Sequence, residues 1–322
     1  MRAARVNALD GRVTVEEVAD PRAEPGHVVV DIEAAAVNYA DLLIARGEYQ
    51  LRADPPFTPG SELAGRVREL GDGVSTWRVG DRVVGSTLVG AFAEQATLPA
   101  AALSAVPDGV DARSAAAFLV AYGTSYPALR SVAELASGET VAVLGAAGGV
   151  GLAAVQCAHA LGARVIAAAS SAEKLAVCAA HGADELIDYS REDLKARLKE
   201  LTRGRGVDVV VDPVGGSVTE PALRATAYGG RFVVVGFASG EIPRIPLNLV
   251  LLKGMQIRSF EIWSFRRERP DDAARGHAEM MQLLADGVLV PHVSSVHPLD
   301  DVTGALAEVG ERRATGKVII EP

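Results

Sequence analysis

The sequence predicts an α/β protein in which a doubly wound parallel sheet is inserted into a discontinuous, β-rich domain. Three observations carry this. From about residue 139 onward, apolar runs of strand length alternate with helical stretches. The stretch "VLGAAGGVG" (143–151) packs four glycines into the seven positions from Gly145 to Gly151, between a strand and a helix. The chain ends on a short β-branched run, "KVIIE", in a tail too small to fold alone, so it must rejoin an earlier domain.

The elements follow in order. Up to about residue 120, "HVVVDIEAAAV", "SELAGRVREL", "DRVVGS" and "AFAEQATLP" read as short strands punctuated by Gly, Pro and Asp, with one helix, "YADLLIARG", among them. The second region supplies the strands "TVAVLG", "RVIAAAS", "DELIDY", "VDVVVDPV", "GRFVVVG" and "MQIRSFEIW", whose apolar continuity predicts cover on both faces. A helix, "PDDAARGHAEMMQLLADG", leads into the C-terminal tail. We therefore expect a β-rich domain over 1–121 and 264–322 and a nucleotide domain over 122–263.

Composition excludes several functions. A net charge of −9 over 322 residues, with no basic stripe, argues against a nucleic-acid partner. No apolar run is long enough to span a membrane, and the start "MRAARVNALDGRVTVEE" lacks a signal-peptide core, so a cytoplasmic protein is expected. Cys157 and Cys178 fit neither a redox pair nor a zinc ribbon and read as small buried hydrophobes. The histidines are scattered, and no metal site is expected.

The glycines answer to a diphosphate. A helix N-terminus offers unpaired N–H groups and the positive end of the helix dipole, and a Cβ on the turn would hold phosphates away. Ala147, Gly148, Gly149, Val150 and Gly151 are the expected contacts. Gly148 allows close approach and Gly151 lets the helix pack on the strand. The match to G-x-G-x-x-G is imperfect, since Ala146 takes the first glycine's place. At the end of the second strand an NAD enzyme would place an acid against the ribose 2′-hydroxyl. Here stand Ser170 and Ser171, with Lys174 one turn on, a set that suits a 2′-phosphate. NADPH is the expected cofactor.

With these motifs in place, the whole chain resembles the zinc-independent quinone oxidoreductases (ζ-crystallin-like) of the medium-chain dehydrogenase/reductase superfamily. The resemblance runs through "AAAVNYADLLIARGEY", "PFTPGSELAGRV", "GDRVVG", "GADELIDY", "GGRFVVVGFASG" and "ATGKVII". It implies a GroES-like catalytic domain around a Rossmann domain. Where zinc enzymes of the superfamily carry a histidine, "PGSELAG" has Ser61, and their cysteine ligands are absent, so no zinc is implied. The implied cofactor contacts are Ser170, Lys174 and Tyr189 at the adenosine 2′-phosphate end, Asn38 and Thr124 near the nicotinamide, Gly236, Phe237 and Ala238 along it, and Lys317 near the phosphates.

The implied activity is NADPH-dependent hydride transfer to quinones or other conjugated carbonyl acceptors. Asn38 belongs to the implied catalytic set, and Tyr49 aligns with the proton donor of related enoyl thioester reductases. Two alternatives stay open. One is an enoyl-CoA, acyl-thioester or enone double-bond reductase, with Arg266, Arg267 and Arg269 as cations for CoA phosphates. The other is an NADPH-binding protein with a structural or regulatory role. A homodimer through the last Rossmann strand is also implied.

Overall fold

A computed structural model describes all 322 residues and resolves two compact units, Met1–Val120 with Val290–Pro322, and Ala121–Leu289. The first expected boundary lies within a residue of the observed one. The second moves from 263/264 to 289/290, because the amphipathic helix Pro270–Ala285 belongs with the nucleotide unit. It buries Gly276, Met280 and Leu284. Its polar face is tied to the helical segment 119–132: Tyr126 donates to Glu279 at 3.1 Å, and Arg130 pairs with Asp272 at 2.8 Å and with Glu279 at 2.5 Å.

The β-rich unit is built on a seven-stranded sheet. Its order is Val293–Pro298, Lys317–Glu321, His27–Val37, Glu62–Leu70, Arg82–Ser86 and Leu103–Ala105, with Gln95–Pro99 also paired to His27–Val37. The eleven-residue strand His27–Val37 is long enough to serve three partners: Gln95–Pro99 along residues 27–31, the C-terminal strand along 35–37, and Glu62–Leu70, in a pairing with two register shifts. The C-terminal strand joins it antiparallel in the register Val318 opposite Val37, Ile319 opposite Ala36 and Ile320 opposite Ala35. That register brings Lys317 level with Asn38. Val28, Val30, Leu63, Val83, Phe92, Leu98, Val318 and Ile320 form the core beneath.

The nucleotide unit carries six parallel strands in the order Glu185–Asp188, Arg164–Ala169, Thr140–Leu144, Val207–Asp212, Thr226–Val234 and Gln256–Ser259. The chain thus starts in the middle of the sheet and winds out to each edge, the doubly wound arrangement. All five residues of Thr140–Leu144 are buried, as cover on both faces requires. The last strand is shorter than "MQIRSFEIW" suggests. Glu261 ends the run by accepting the backbone N–H groups of Trp263 and Ser264, at 2.9 and 2.7 Å, and so caps the helix Ile262–Glu268.

Candidate active site

Two groups of residues stand out, one in each unit. In the nucleotide unit, strand Thr140–Leu144 turns through Gly145, in the left-handed region at φ +56°, into the helix Gly149–Ala160. A Cβ on Gly151 would lie 2.2 Å from the Gly145 carbonyl oxygen, so only glycine lets the helix approach this closely. Gly148 differs. Its nearest neighbour for an added Cβ is 3.5 Å away, and its backbone is extended at φ −76°. Nothing inside the protein requires that position to be bare. The first α-helical bond here runs from the Leu152 N–H to the Gly148 carbonyl at 2.7 Å, leaving the amides of Gly149, Val150 and Gly151 ahead of it. Ser125 anchors the turn by donating to the Val150 carbonyl at 2.8 Å, and its neighbour Thr124 lies inside the helix Leu119–Pro127.

The neighbouring strand Arg164–Ala169 delivers the polar end. Ser171 caps the helix Ala172–Ala180, its hydroxyl accepting the Lys174 N–H at 3.3 Å, while Lys174 Nζ reaches Ser170 Oγ at 3.5 Å. The Tyr189 N–H bonds the Ala169 carbonyl at 3.1 Å, so Ser170, Lys174 and Tyr189 meet at the carboxyl ends of two adjacent strands. Ser171 accepts at the cap and keeps its own O–H to donate, while Ser170 is exposed and Lys174 half-buried.

Sequence reading missed Asp212. It is buried at the end of strand Val207–Asp212, where its carboxylate accepts from Val214 N, Gly215 N and Thr219 Oγ1 at 2.8, 2.9 and 2.6 Å. Its own carbonyl accepts Val235 N and Gly236 N. It thereby holds the loop that carries Gly236, Phe237 and Ala238. The signal was an acid ending a buried, valine-rich strand, a place where a carboxylate must find donors. A separate concavity of about 760 Å³ is lined by Asp193, Lys195, Glu220, Arg224, Arg244 and neighbours, and includes none of these residues.

In the β-rich unit, Asn38 precedes the helix Tyr39–Ala45, and Asp41 folds back to accept the Asn38 N–H at 2.8 Å. The Asn38 carboxamide donates through Nδ2 to Glu62 Oε1 at 2.9 Å and to Ser61 Oγ at 3.2 Å, and accepts through Oδ1 from Lys317 Nζ at 2.6 Å. Lys317 also pairs with Glu62 at 2.6 Å, with the two side chains 4% and 0% exposed. The other Glu62 oxygen accepts the Val120 N–H at 2.9 Å.

Lys317 is therefore not an open cation. The expectation of a phosphate contact there gives way to a buried ion pair, because its ammonium is already bound to a carboxylate. Asp41 is fully buried, and burial raises its carboxyl to about 7 against the pull of the Asn38 N–H, Ser61 and Lys317, with Glu62 adding to the rise. Tyr49 is half-buried and packs on the small cluster of Val6, Ile44, Ala45 and Phe57.

Residues 24–108 match the alcohol dehydrogenase GroES-like domain, and residues 149–275 match the zinc-binding dehydrogenase domain. The bovine quinone oxidoreductase-like protein 2 is 40% identical over 320 residues, covering 99% of this chain and 92% of the relative. The Pseudomonas aeruginosa quinone oxidoreductase is 35% identical over 303 residues, covering 93% of each. This chain belongs to the quinone oxidoreductase-like medium-chain dehydrogenases/reductases. The solved Escherichia coli quinone oxidoreductase, complexed with NADPH, is similar over the full length of both chains, with 29% identity and a TM-score of 0.92. As in that family, the GroES-like unit and the Rossmann-like sheet are both present here.

Proposed function

We propose that this quinone oxidoreductase-like chain is an NADPH-dependent reductase that delivers hydride to quinones or other conjugated carbonyl acceptors without zinc. The observation that carries it is the pairing of Ser170 with Lys174 at the end of the second Rossmann strand, where a carboxylate would repel a 2′-phosphate. Gly148 supports it, as a backbone left bare for something outside the chain. Ala147, Gly149, Val150 and Gly151 complete the diphosphate cradle, Tyr189 borders the adenosine, and Thr124, Gly236, Phe237 and Ala238 serve the nicotinamide end.

Bound NADPH supplies the hydride, and the chain orients it and excludes water. The acceptor oxygen gains negative charge as hydride arrives. Zinc would stabilise it in a metal enzyme, but Asn38 and Ser61 are poor zinc donors and the Lys317 ammonium sits 2.6 Å from Asn38 Oδ1, where it repels a divalent cation. A quinone delocalises the charge itself. For an enone, Tyr49 is the proton donor to the α-carbon.

The acyl-thioester alternative is favoured by one feature. Arg266 lies over the Trp263 ring at 5.7 Å, which holds a guanidinium where an acceptor's phosphate could be met. NADPH consumption against 9,10-phenanthrenequinone, 1,4-benzoquinone, simple enones and crotonyl-CoA tests these readings together. We expect quinone turnover, and we expect Tyr49→Phe to lower enone turnover about a hundredfold with NADPH affinity unchanged. Turnover of no acceptor despite NADPH binding would point to a structural or regulatory role.

We also propose a homodimer through the edge strand Gln256–Ser259, which pairs on one side only. Tyr228, Leu247, Leu251, Leu252 and Ile257 are exposed on the same unit and would supply its apolar contacts. Light scattering at micromolar concentration should give twice the chain mass, and a monomer would refute the interface. No helix is long and apolar enough to cross a membrane. The cytoplasmic location we propose is one that keeps thiols such as Cys157 and Cys178 reduced.

A further inference from the structure

Half-buried arginines in the nucleotide unit come with carboxylates. Arg130, Arg164, Arg197, Arg224, Arg231 and Arg258 each pair with a glutamate or an aspartate. Arg266 is the exception. It is half-buried on the helix Ile262–Glu268, and its guanidinium rests on the Trp263 ring, 5.7 Å from the centroid, instead of on an acid. Neighbouring acids are engaged elsewhere. Glu261 caps Trp263 and Ser264, Glu268 takes Arg267 at 2.8 Å, and Asp272 and Glu279 take Arg130.

A second basic side chain adds to the imbalance. Burial lowers the His277 pKa, and the charge of Arg266 lowers it further. Burial also pulls Arg266 itself down, with no acid to raise it, yet a guanidinium keeps its charge in a protein. An unpaired charge taken partly out of water costs free energy, and stacking on Trp263 offsets only part of that. An oxyanion from outside the chain would complete the arrangement.

The helix stands where ligands of such sheets bind, outside the carboxyl ends of the strands. It begins just beyond the strand Gln256–Ser259, where the Phe260 N–H bonds the Val234 carbonyl at 3.0 Å. Phe265 packs back on Phe260, with ring centroids 5.2 Å apart. Three strand spacings, roughly 14 Å, separate that strand from Thr140–Leu144, which feeds the glycine turn. All of these residues belong to the nucleotide unit.

We propose that Arg266 is a specificity-determining residue that binds an oxyanion carried by the acceptor, so that the preferred acceptors are conjugated carbonyl compounds bearing a carboxylate or a phosphate. This rests on the reductase reading above and narrows its substrate class. Trp263 is a positioning residue, holding the guanidinium by its face. Arg267 takes no share, because Glu268 neutralises it.

The test has a binding arm and a kinetic arm, both on the full chain. Trp263 is one of two tryptophans and the other, Trp77, lies in the β-rich unit, so a Trp77→Phe background leaves Trp263 as the sole reporter. With NADP+ present to fill the nucleotide site, benzoate should change its fluorescence saturably and neutral benzamide should not. Arg266→Met should abolish the benzoate response. Methionine replaces an unpaired charge with an apolar chain of similar length, so the variant should fold.

The kinetic arm compares 1,4-naphthoquinone-2-sulfonate with 1,4-naphthoquinone. We expect the ratio of their kcat/KM values to fall about tenfold in Arg266→Met, with NADPH affinity unchanged. Arg266→Lys, which keeps the charge but not the stacked fork, should recover part of it. Crotonyl-CoA against its phosphate-free analogue crotonyl-N-acetylcysteamine tells the sources apart. A larger fall in this second ratio assigns the oxyanion to a thioester's phosphate, and a larger fall in the first assigns it to a carboxylate-like group on a small acceptor.

A benzoate response that survives in Arg266→Met would overturn the proposal. If the parent reduces these acceptors and both ratios stay the same in the variant, only the role of Arg266 falls. If the parent reduces none of them while benzoate still binds through Arg266, the reductase reading falls and the oxyanion site stands.

Discussion

The turn at Gly145–Gly151 and the cluster around Glu62 are built from opposite materials. The turn is contiguous, uncharged and made of backbone, and its shape is set by the absence of Cβ atoms. The cluster draws Asn38, Asp41, Ser61, Glu62 and Lys317 from three separate stretches of the chain, and its shape is set by charge balance in a buried place. The first is sensitive to volume and indifferent to charge. The second is sensitive to charge, because an unpaired buried ion costs several kcal/mol whatever its size.

The largest effect should come from testing volume at the turn. Gly151→Ala drives a methyl to within 2.2 Å of the Gly145 carbonyl oxygen, and we expect a loss of about 3 kcal/mol or more in urea unfolding. Gly148→Ala has room, so stability should change by less than about 1 kcal/mol while NADPH affinity falls at least about tenfold. Equal stability losses would mean that both glycines serve packing and would remove Gly148 as evidence for a ligand.

A smaller effect tests charge in the cluster. A carboxyl raised from 3.8 to about 7 in the folded state binds more protons there than in the unfolded chain between those two pH values. Its contribution to stability is therefore full below pH about 4 and is lost as pH rises through about 7. Asp41→Asn cannot titrate, yet keeps an oxygen for the Asn38 N–H. Between pH 4 and pH 8 we expect the parent to lose roughly 4 kcal/mol more than this variant, read from urea unfolding at each pH. Parallel pH profiles would show that Asp41 is ionised in the folded protein throughout.

The same contrast explains what could be read before the fold was known. The turn, its flanking strand and helix, and the serine–lysine pair are local, and local spacing carries them. The parallel strands were legible because two-sided burial writes continuous apolar runs, as in Thr140–Leu144. Lys317 misled because its place near the phosphates came from the resemblance alone, and nothing near it in the sequence announces Glu62, 255 residues earlier. The clue lay at the other end. Glu62 sits in "PGSELAG" among residues headed for the core, and an acid placed there needs a cation from somewhere. The strand "MQIRSFEIW" was overextended for a similar reason, since Glu261 serves as a cap that apolar periodicity does not register. The helix Pro270–Ala285 was assigned to the wrong unit because amphipathicity reveals a buried face but not what covers it.

Titration of the pure protein with NADPH and NADH, followed by nucleotide fluorescence, tests the central claim most directly. Ser170 and Lys174 beside a bare diphosphate turn predict that NADPH binds at least about tenfold more tightly. NADH binding as well as NADPH, or neither binding, would contradict the account.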